Sequence, residues 1–484
     1  MIMSVLSPAI ETLERGVEAA RKGRLAEAEA HFRRAVELDP GCAQAHCNLG
    51  NALREQGRLE EALRHLTRAL ERQPGLAEAG LNLAVVLEEQ GRLEEAEKRL
   101  REVLERCPEH PVALNNLGSV LKKLGRLEEA RACLERALAR APGLAHAHNN
   151  LGAVLEQMGR WEEAERRYDE ALRWDPQLAD AHANRAMVRL LKGDFERGWP
   201  EYEWRWKLRG TAPRDGRSPR WDGSPLGGRA ILLQAEQGLG DTIHYVRYAA
   251  LVAGRGGRVV LECPPRLCEL LRSAPGVDRV ISCQDPLPLC AAHAPLASLP
   301  GLFRTTLETI PNQVPYLHVA SQRVEAARRR IGEQAGRRKV GLVWAGSPWN
   351  KNDRNRSIRL AELAPLAGLA GTAWFSLQRG PQAAELWSAP QGLTLTNLEK
   401  DRGDLTDTAA AILCLDLVIA VDTMIAHLAG ALARPVWVLQ PFAPDYRWLL
   451  HREDSPWYPT MRLFRQPAPG QWQPVIERIV KELQ

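Results

Sequence analysis

Five prolines stand thirty-four residues apart: Pro40, Pro74, Pro108, Pro142 and Pro176. A strict period of this length constrains the fold more than any other feature, because only a stack of equivalent supersecondary units can use it. With each proline at position 32, the units start at residues 9, 43, 77, 111 and 145. Position 8 then reads Gly16, Gly50, Ala84, Gly118 and Gly152. Position 20 reads Ala28, Ala62, Ala96, Ala130 and Ala164, and position 24 reads Phe32, Leu66, Leu100, Leu134 and Tyr168. Small residues at 8 and 20 let two helices cross closely, and the large residue at 24 fills the groove between them. The proline ends the second helix and disfavours helical geometry just before it. The phrase G-R-L/W-x-E-A, as in Gly57-Arg58-Leu59 and Gly159-Arg160-Trp161, marks the turn between the helices.

In period and in its small positions this array resembles the tetratricopeptide repeat. A sixth, degenerate unit starts near Ala179, with Ala186 at position 8, Gly198 at position 20 and Gly210 in place of proline. Its aromatic second helix reads as the cap that closes the array onto the next domain. Residues 9–209 are therefore expected to form an all-α solenoid of five full repeats and a capping repeat. Position 6 is asparagine in the second to sixth units: Asn48, Asn82, Asn116, Asn150 and Asn184. Such a ladder could hydrogen-bond the backbone of an extended peptide without reading its sequence. The plainer alternative is that these asparagines belong to the common repeat consensus and solvate a surface. An array of this kind is expected to bind a protein, since a solenoid has no other obvious use.

The chain of 484 residues exceeds one ordinary core, so further domains must follow. Apolar residues make up 45% and charged residues 26%, which excludes general disorder. No run of eighteen apolar residues occurs, so no transmembrane helix is expected. The start, MIMSVLSPAIETLERG, has no basic segment and meets Glu11 and Glu14 early, unlike a signal peptide. Nine scattered cysteines without a C-x-x-C read as buried thiols in a reducing compartment, not as a disulfide or zinc framework. A cytoplasmic location follows as the expectation. A net charge of +5 argues against a dedicated nucleic-acid binder. The two halves differ, however. Residues 1–210 hold 33 basic and 35 acidic residues, and the remainder 32 and 25. All fourteen tryptophans lie at or after Trp161.

Residues 210–228, dense in Gly, Pro, Ser and Arg, read as a linker, with Trp221 as an anchor. The pattern then changes to short apolar strands alternating with helices. Strands are predicted at 229–233, 258–262 and 277–281, and then at 339–344, 372–377, 416–421 and 434–439. Two Rossmann-like α/β lobes result, 229–335 and 336–484, with a ligand cleft at the carboxyl ends of their strands.

Three segments carry candidate chemistry. In the first, Gly238 and Gly240 let the backbone approach a donor, and Asp241 starts the following helix. That carboxylate could cap the helix or serve as a general base. The second is the basic loop with Lys351, Arg354, Arg356 and Ser357, whose charges and hydroxyl suit a diphosphate. The third is Asp422 and Thr423 at a helix start, with His427 one turn later on the same face. Gln378, after the strand 372–377, is grouped with the donor-binding residues.

At these motifs the second half resembles the bacterial lipopolysaccharide heptosyltransferase family. The shared features are a strand leading to G-D, the G-L-V-W-A-G strand with its basic loop, and V-D-T-x-x-x-H-L-A-x-A-L. The resemblance spans residues 229–480. It implies the two-lobed GT-B fold and transfer of a sugar from a nucleotide-sugar donor without a required metal or other cofactor. It further implies Asp241 as catalytic base, Arg356 near the donor phosphate, and Asp422, Thr423 and His427 as the donor-binding motif. The C-terminal helix, 474–483, would cross back to the first lobe. Met424 departs from the family, which commonly has glycine there. Repeats followed by such a domain are similar in layout to the protein O-linked N-acetylglucosamine transferases. The expectation is an inverting glycosyltransferase whose acceptor is a protein or peptide recruited by the repeats. The alternative is a non-catalytic repeat scaffold with a nucleotide- or sugar-sensing domain.

Overall fold

The computed structural model describes residues 7–208, 218–350, 352–399 and 404–484. The chain divides into two compact units after Ala181.

The first unit is a run of helical hairpins: α1 (Pro8–Arg21) with α2 (Leu25–Leu38), α3 (Ala43–Glu55) with α4 (Leu59–Arg72), and α5 (Ala77–Glu89) with α6 (Leu93–Arg106). Then come α7 (Pro111–Leu124) with α8 (Leu127–Arg140), and α9 (Ala145–Gln157) with α10 (Trp161–Trp174). Each helix packs on its hairpin partner, and the helices α1–α8 also pack on the hairpin that follows. A Cβ added at Gly50 would lie 2.6 Å from Leu66 Cγ, and one at Gly152 would lie 2.5 Å from Tyr168 Cε1. The small residue at position 8 is therefore required by the large residue at 24. The alanines at position 20, such as Ala62 and Ala130, are fully buried. The hairpin turns use a second glycine, Gly57 or Gly125 for example, whose φ of 77° and 80° is left-handed. Each second helix ends two residues before its proline, and the intervening residue leaves helical geometry, as Asp39 does at φ −140° and ψ 91°. The arginine of the turn phrase pairs with a first-turn glutamate, as in Arg92–Glu95 at 2.7 Å. Solvent screens such exposed pairs, so they add little to stability.

The degenerate repeat behaves differently. The helix α11 (Ala179–Leu191) and the short α12 (Phe195–Tyr202) form the sixth hairpin, yet from His182 onward it packs within the second unit. Counting repeats placed the domain edge at 209; the compact division lies at 181. The reason is chemical. The Trp199 indole donates to the Thr305 carbonyl at 3.1 Å, and Arg205 pairs with Glu236 at 2.7 Å. The hairpin itself closes on the buried Glu201 carboxylate, which bonds His182, Arg185 and Arg189.

The second unit holds two sheets, each wholly parallel. The first, in the order β3-β2-β1-β4, comprises β1 (Ala230–Gln234), β2 (Arg258–Cys263), β3 (Val277–Ser282) and β4 (Ala292–Pro295). The second has the order β10-β9-β8-β5-β6-β7. Its strands are β5 (Arg338–Val343), β6 (Thr372–Ser376), β7 (Leu395–Asn397), β8 (Leu417–Val421), β9 (Val436–Gln440) and β10 (Met461–Arg465). Counted from β5, that order is 3-2-1-4-5-6, the doubly wound arrangement with a switch point between β5 and β8. Buried on both faces, β8 reads Leu-Val-Ile-Ala-Val without alternation. The segment at 218–228 is docked, not loose: Trp221 is buried and donates to the Ser224 carbonyl at 2.9 Å. The C-terminal helix Gln473–Leu483 does not carry its apolar face to the first lobe. Val475, Ile476, Ile479 and Leu483 pack with Phe464, Leu360 and Trp344 in the core of the second.

Candidate functional site

A cavity of about 970 Å³ opens in the second unit. Its wall is made by the chain just after strand ends: 237–241 after β1, 345–350 after β5, 377–381 after β6, 422–425 after β8 and 445–447 after β9. It therefore includes the switch point of the second sheet, where open α/β sheets bind ligands. Of the residues singled out in the sequence, Gly238, Gly240, Asp241, Arg356, Gln378, Asp422, Thr423 and His427 line this one cavity. Arg354 and Ser357 are not on its wall, and Lys351 lies outside the described residues.

The first and third of these motifs meet. The helix α13 (Leu239–Tyr245) begins beside the start of the helix Met424–Ala431. A Cβ at Gly240 would lie 3.0 Å from His427 Cδ2 and 3.3 Å from Met424 Cα, so glycine is required there by the facing backbone. Asp241 has two bonds. Its Oδ2 accepts the Gly238 N–H at 2.8 Å, which is the helix-capping role, and its Oδ1 accepts from Arg447. Arg447 also donates to Asp445 Oδ1 at 2.8 Å and lies 4.6 Å from the centre of the Tyr446 ring. Burial opposes its charge, but Asp445, Tyr245, Tyr446 and Asp241 outweigh burial and raise its pKa well above the ordinary value. Arg447 and Asp445 were not among the sequence candidates, although their loop follows β9 as the other wall loops follow their strands.

Arg356 ties the second motif to the third. It donates to the Asp422 carbonyl at 2.8 Å and to Asp353 at 3.2 Å. Ser357 instead serves the loop, accepting the Gly346 N–H and donating to Asp353, each at 2.9 Å. Gln378 is also a structural latch. Its Oε1 accepts the Trp344 and Ala345 N–H groups at 3.1 and 3.0 Å, and its Nε2 donates to the Ala345 and Arg379 carbonyls at 3.0 and 2.8 Å. All of these bonds go to backbone, so the side chain fixes the ends of β5 and β6.

Asp422 sits partly buried beside Asp445, and burial together with that neighbour pushes its carboxyl up to about 6. The Thr423 hydroxyl is shielded from solvent and has no hydrogen-bond partner in the structure. His427 is buried, with Nδ1 3.0 Å from the Tyr458 hydroxyl and its ring stacked on Trp448 at 5.2 Å. Burial, with Arg447, Arg247 and Arg356 nearby, holds its pKa well below the ordinary value. The ring is therefore a neutral imidazole near pH 7, with one donor and one acceptor.

The asparagines of the repeats are half-buried in the first unit, and part of their bonding joins neighbouring repeats. Asn150 Nδ2 donates to Asn115 Oδ1 at 2.9 Å, and Asn82 Nδ2 approaches Cys47 Sγ at 3.7 Å. Asn48 accepts from Gln44 at 3.0 Å, and Asn116 from Asn115 at 3.1 Å. Asn184 belongs to the second unit.

Models of the tetratricopeptide repeat match residues 13–77, 75–143 and 109–176. The N-terminal hairpins are tetratricopeptide repeats. Protein FlbA of Caulobacter vibrioides is 26% identical over 327 residues, which cover 61% of this chain and 53% of that protein. The chain thus spans about half the length of the curated relative it matches. Among solved structures, a thermophilic TPR protein of Thermus thermophilus is 26% identical, with a TM-score of 0.35, covering 38% of this chain and 99% of that one. YrrB, described as a TPR protein with an unusual peptide-binding site, is 24% identical, with a TM-score of 0.30, covering 36% and 90%. A tetratricopeptide repeat protein of Parabacteroides merdae is 24% identical, with a TM-score of 0.34, covering 41% and 79%. Among the described residues no helix is long and apolar enough to cross a membrane.

Proposed function

We propose that the second half is a metal-independent, inverting glycosyltransferase domain of the GT-B type and that the repeats recruit its protein or peptide acceptor. The observation that carries this reading is the meeting of two motifs on one cavity wall. The Gly238–Asp241 turn of one parallel sheet faces the helix start at Asp422–Met424 of the other, with Arg356 bonded to the Asp422 carbonyl. A nucleotide diphosphate would find the Thr423 hydroxyl, the free N–H groups of the helix Met424–Ala431 and the charge of Arg356. No cofactor is called for. Asp241 would take the proton of the acceptor hydroxyl, since each of its engaged oxygens keeps a second lone-pair direction. The acceptor oxygen would then attack the anomeric carbon as the bond to the diphosphate breaks. Location in the cytoplasm belongs to the same proposal.

A second reading, a repeat scaffold with a non-catalytic nucleotide- or sugar-sensing domain, draws on a different observation. Both Asp241 oxygens are already bonded, one to Gly238 and one to Arg447. Calorimetry with a panel of nucleotide sugars, followed by mass spectrometry of co-expressed proteins, separates the two. Glycosylated product that disappears in Asp241→Asn, with donor binding kept, supports transfer. Binding without donor hydrolysis or product supports the sensor. Asparagine is preferred to alanine because it keeps an acceptor for the Gly238 N–H.

A further inference from the structure

The segment Glu236–Gln237 joins β1 to the Gly238–Asp241 turn, and it is gripped from the degenerate repeat. Gln237 is a non-glycine residue at φ 63°, a left-handed conformation that persists only where surrounding contacts hold it. Its side chain supplies one such contact: Nε2 donates to the Tyr202 hydroxyl at 2.7 Å. Next to it, Glu236 receives a two-pronged bond from Arg205, Nη2 to Oε1 at 2.7 Å and Nε to Oε2 at 3.1 Å. Arg205 is only 6% exposed, and its Nη2 is also 2.7 Å from Ser298 Oγ. Glu236 Oε1 further accepts the Ala297 N–H at 3.1 Å. The same hairpin reaches the other support of Asp241. The Tyr202 ring lies 5.8 Å from the Tyr446 ring, and Trp199 lies 5.9 Å from it. Tyr446 in turn flanks Arg447, the partner of Asp241. Tyr202 and Met187 of this hairpin are themselves on the cavity wall.

We infer that the degenerate repeat, residues 182–207, is a working part of the cavity, with Tyr202 and Arg205 as positioning residues for the Glu236–Asp241 turn. A repeat that merely capped a solenoid would need a polar outer face. This one instead presents Trp199, Tyr202 and Arg205, all buried against the sheet domain. The turn whose N–H groups and carboxylate face the ligand is held on one side by Arg205 and Tyr202 and on the other by Arg447, which packs through Tyr446 on the same hairpin. The inference rests on the reading of the cavity as a nucleotide-sugar site only for what the turn binds, not for how the turn is held.

The test uses the full chain and the variants Tyr202→Phe, Glu236→Gln and Gln237→Ala. Two measurements are made: amide hydrogen exchange, and calorimetric binding of ADP, UDP, GDP and CDP. Tyr202→Phe removes one hydroxyl from a buried bond. It is expected to speed exchange across 236–241 about fivefold while leaving 183–198 unchanged, the size a single hydrogen bond supports. Affinity for whichever diphosphate binds should fall by about the same factor. In the Gln237→Ala background the phenylalanine should add nothing further, because the two share one bond. Glu236→Gln should loosen the same turn by weakening the Arg205 fork. Unchanged exchange at 236–241 in both Tyr202→Phe and Glu236→Gln would overturn the inference. So would a loss of protection spread evenly over the hairpin, the signature of a purely structural residue. If the native chain binds none of the four diphosphates, the nucleotide reading of the cavity fails, and the exchange result alone decides the positioning role.

Discussion

Asp422 gives the sharpest quantitative test of the site. Its carboxyl is pushed up to about 6 by burial and by Asp445. A folded-state pKa above the ordinary value means that folding favours the protonated acid. Stability from this group is therefore complete below about pH 4 and is lost as the pH rises through about 6. Moving a carboxyl from its ordinary 3.8 to about 6 corresponds to about 3 kcal/mol at pH 7.5 and about 1 kcal/mol at pH 4.5. Asp422→Asn removes the titration and keeps the shape. It leaves the backbone carbonyl that Arg356 uses untouched. The variant should therefore be more stable than the native chain by up to about 3 kcal/mol at pH 7.5, with the gain shrinking to about 1 kcal/mol at pH 4.5. Urea unfolding followed by tryptophan fluorescence reads mainly the second unit, since twelve of the fourteen tryptophans lie beyond residue 181. The same variant should lose affinity for its ligand. A carboxylate held at this cost in a cavity is more readily explained by a binding role than by packing. A variant no more stable than the native chain at pH 7.5, or a gain that does not change with pH, would refute the reasoning.

Three further outcomes follow from the packing. Gly50→Ala places a Cβ 2.6 Å from Leu66 Cγ and should cost about 1–3 kcal/mol, whereas Gly57→Ala meets no atom within 4 Å and should cost about 1–2 kcal/mol from its φ of 77° alone. Thermal unfolding followed by far-UV circular dichroism compares the two. Arg447→Met leaves Asp241 and Asp445 without their shared cation and should cost about 3–5 kcal/mol in urea unfolding, with Arg447→Lys intermediate. Gln378→Glu turns the donor that serves two carbonyls into an acceptor and should cost about 1–3 kcal/mol, detected by the same assay.

The repeats were legible because their determinants are local and recur. A glycine at 50 and a leucine at 66 lie on adjacent helices of one hairpin, and sixty-eight residues later, after one intervening unit, the same pair is written again as Gly118 and Leu134. Strand-ending motifs were legible for a similar reason: a continuous apolar run such as 417–421 can bury both faces only inside a parallel sheet. The strands β4, β7 and β10 lie outside the segments whose pattern predicts a strand. His-containing Ala292–Pro295 and three-residue Leu395–Asn397 are set by neighbours in the sheet, not by their own pattern. The fate of the terminal repeat was hidden too. Its small residues at positions 8 and 20 obey the repeat rule, yet Trp199 and Arg205 answer to Thr305 and Glu236, which no repeat period points to.

The same distinction between local and distant partners explains why Asp241 could be read in two ways. A carboxylate three residues after Gly238 caps the helix through a bond that the sequence alone suggests, and that bond is present. What decides its chemistry is Arg447, 206 residues away. Arg447 is held in turn by Asp445 and packs through Tyr446 on Tyr202 of the terminal repeat. An aspartate used only as a cap needs no such cation, since the helix N–H groups already favour its charge. Enclosing an arginine between two carboxylates is costly unless every partner stays in place. The arrangement therefore makes the position of Asp241 depend on three separate chain segments, the turn after β1, the loop after β9 and the last repeat hairpin. That dependence fits a carboxylate whose position in the cavity, and not only its presence at a helix start, matters to the protein.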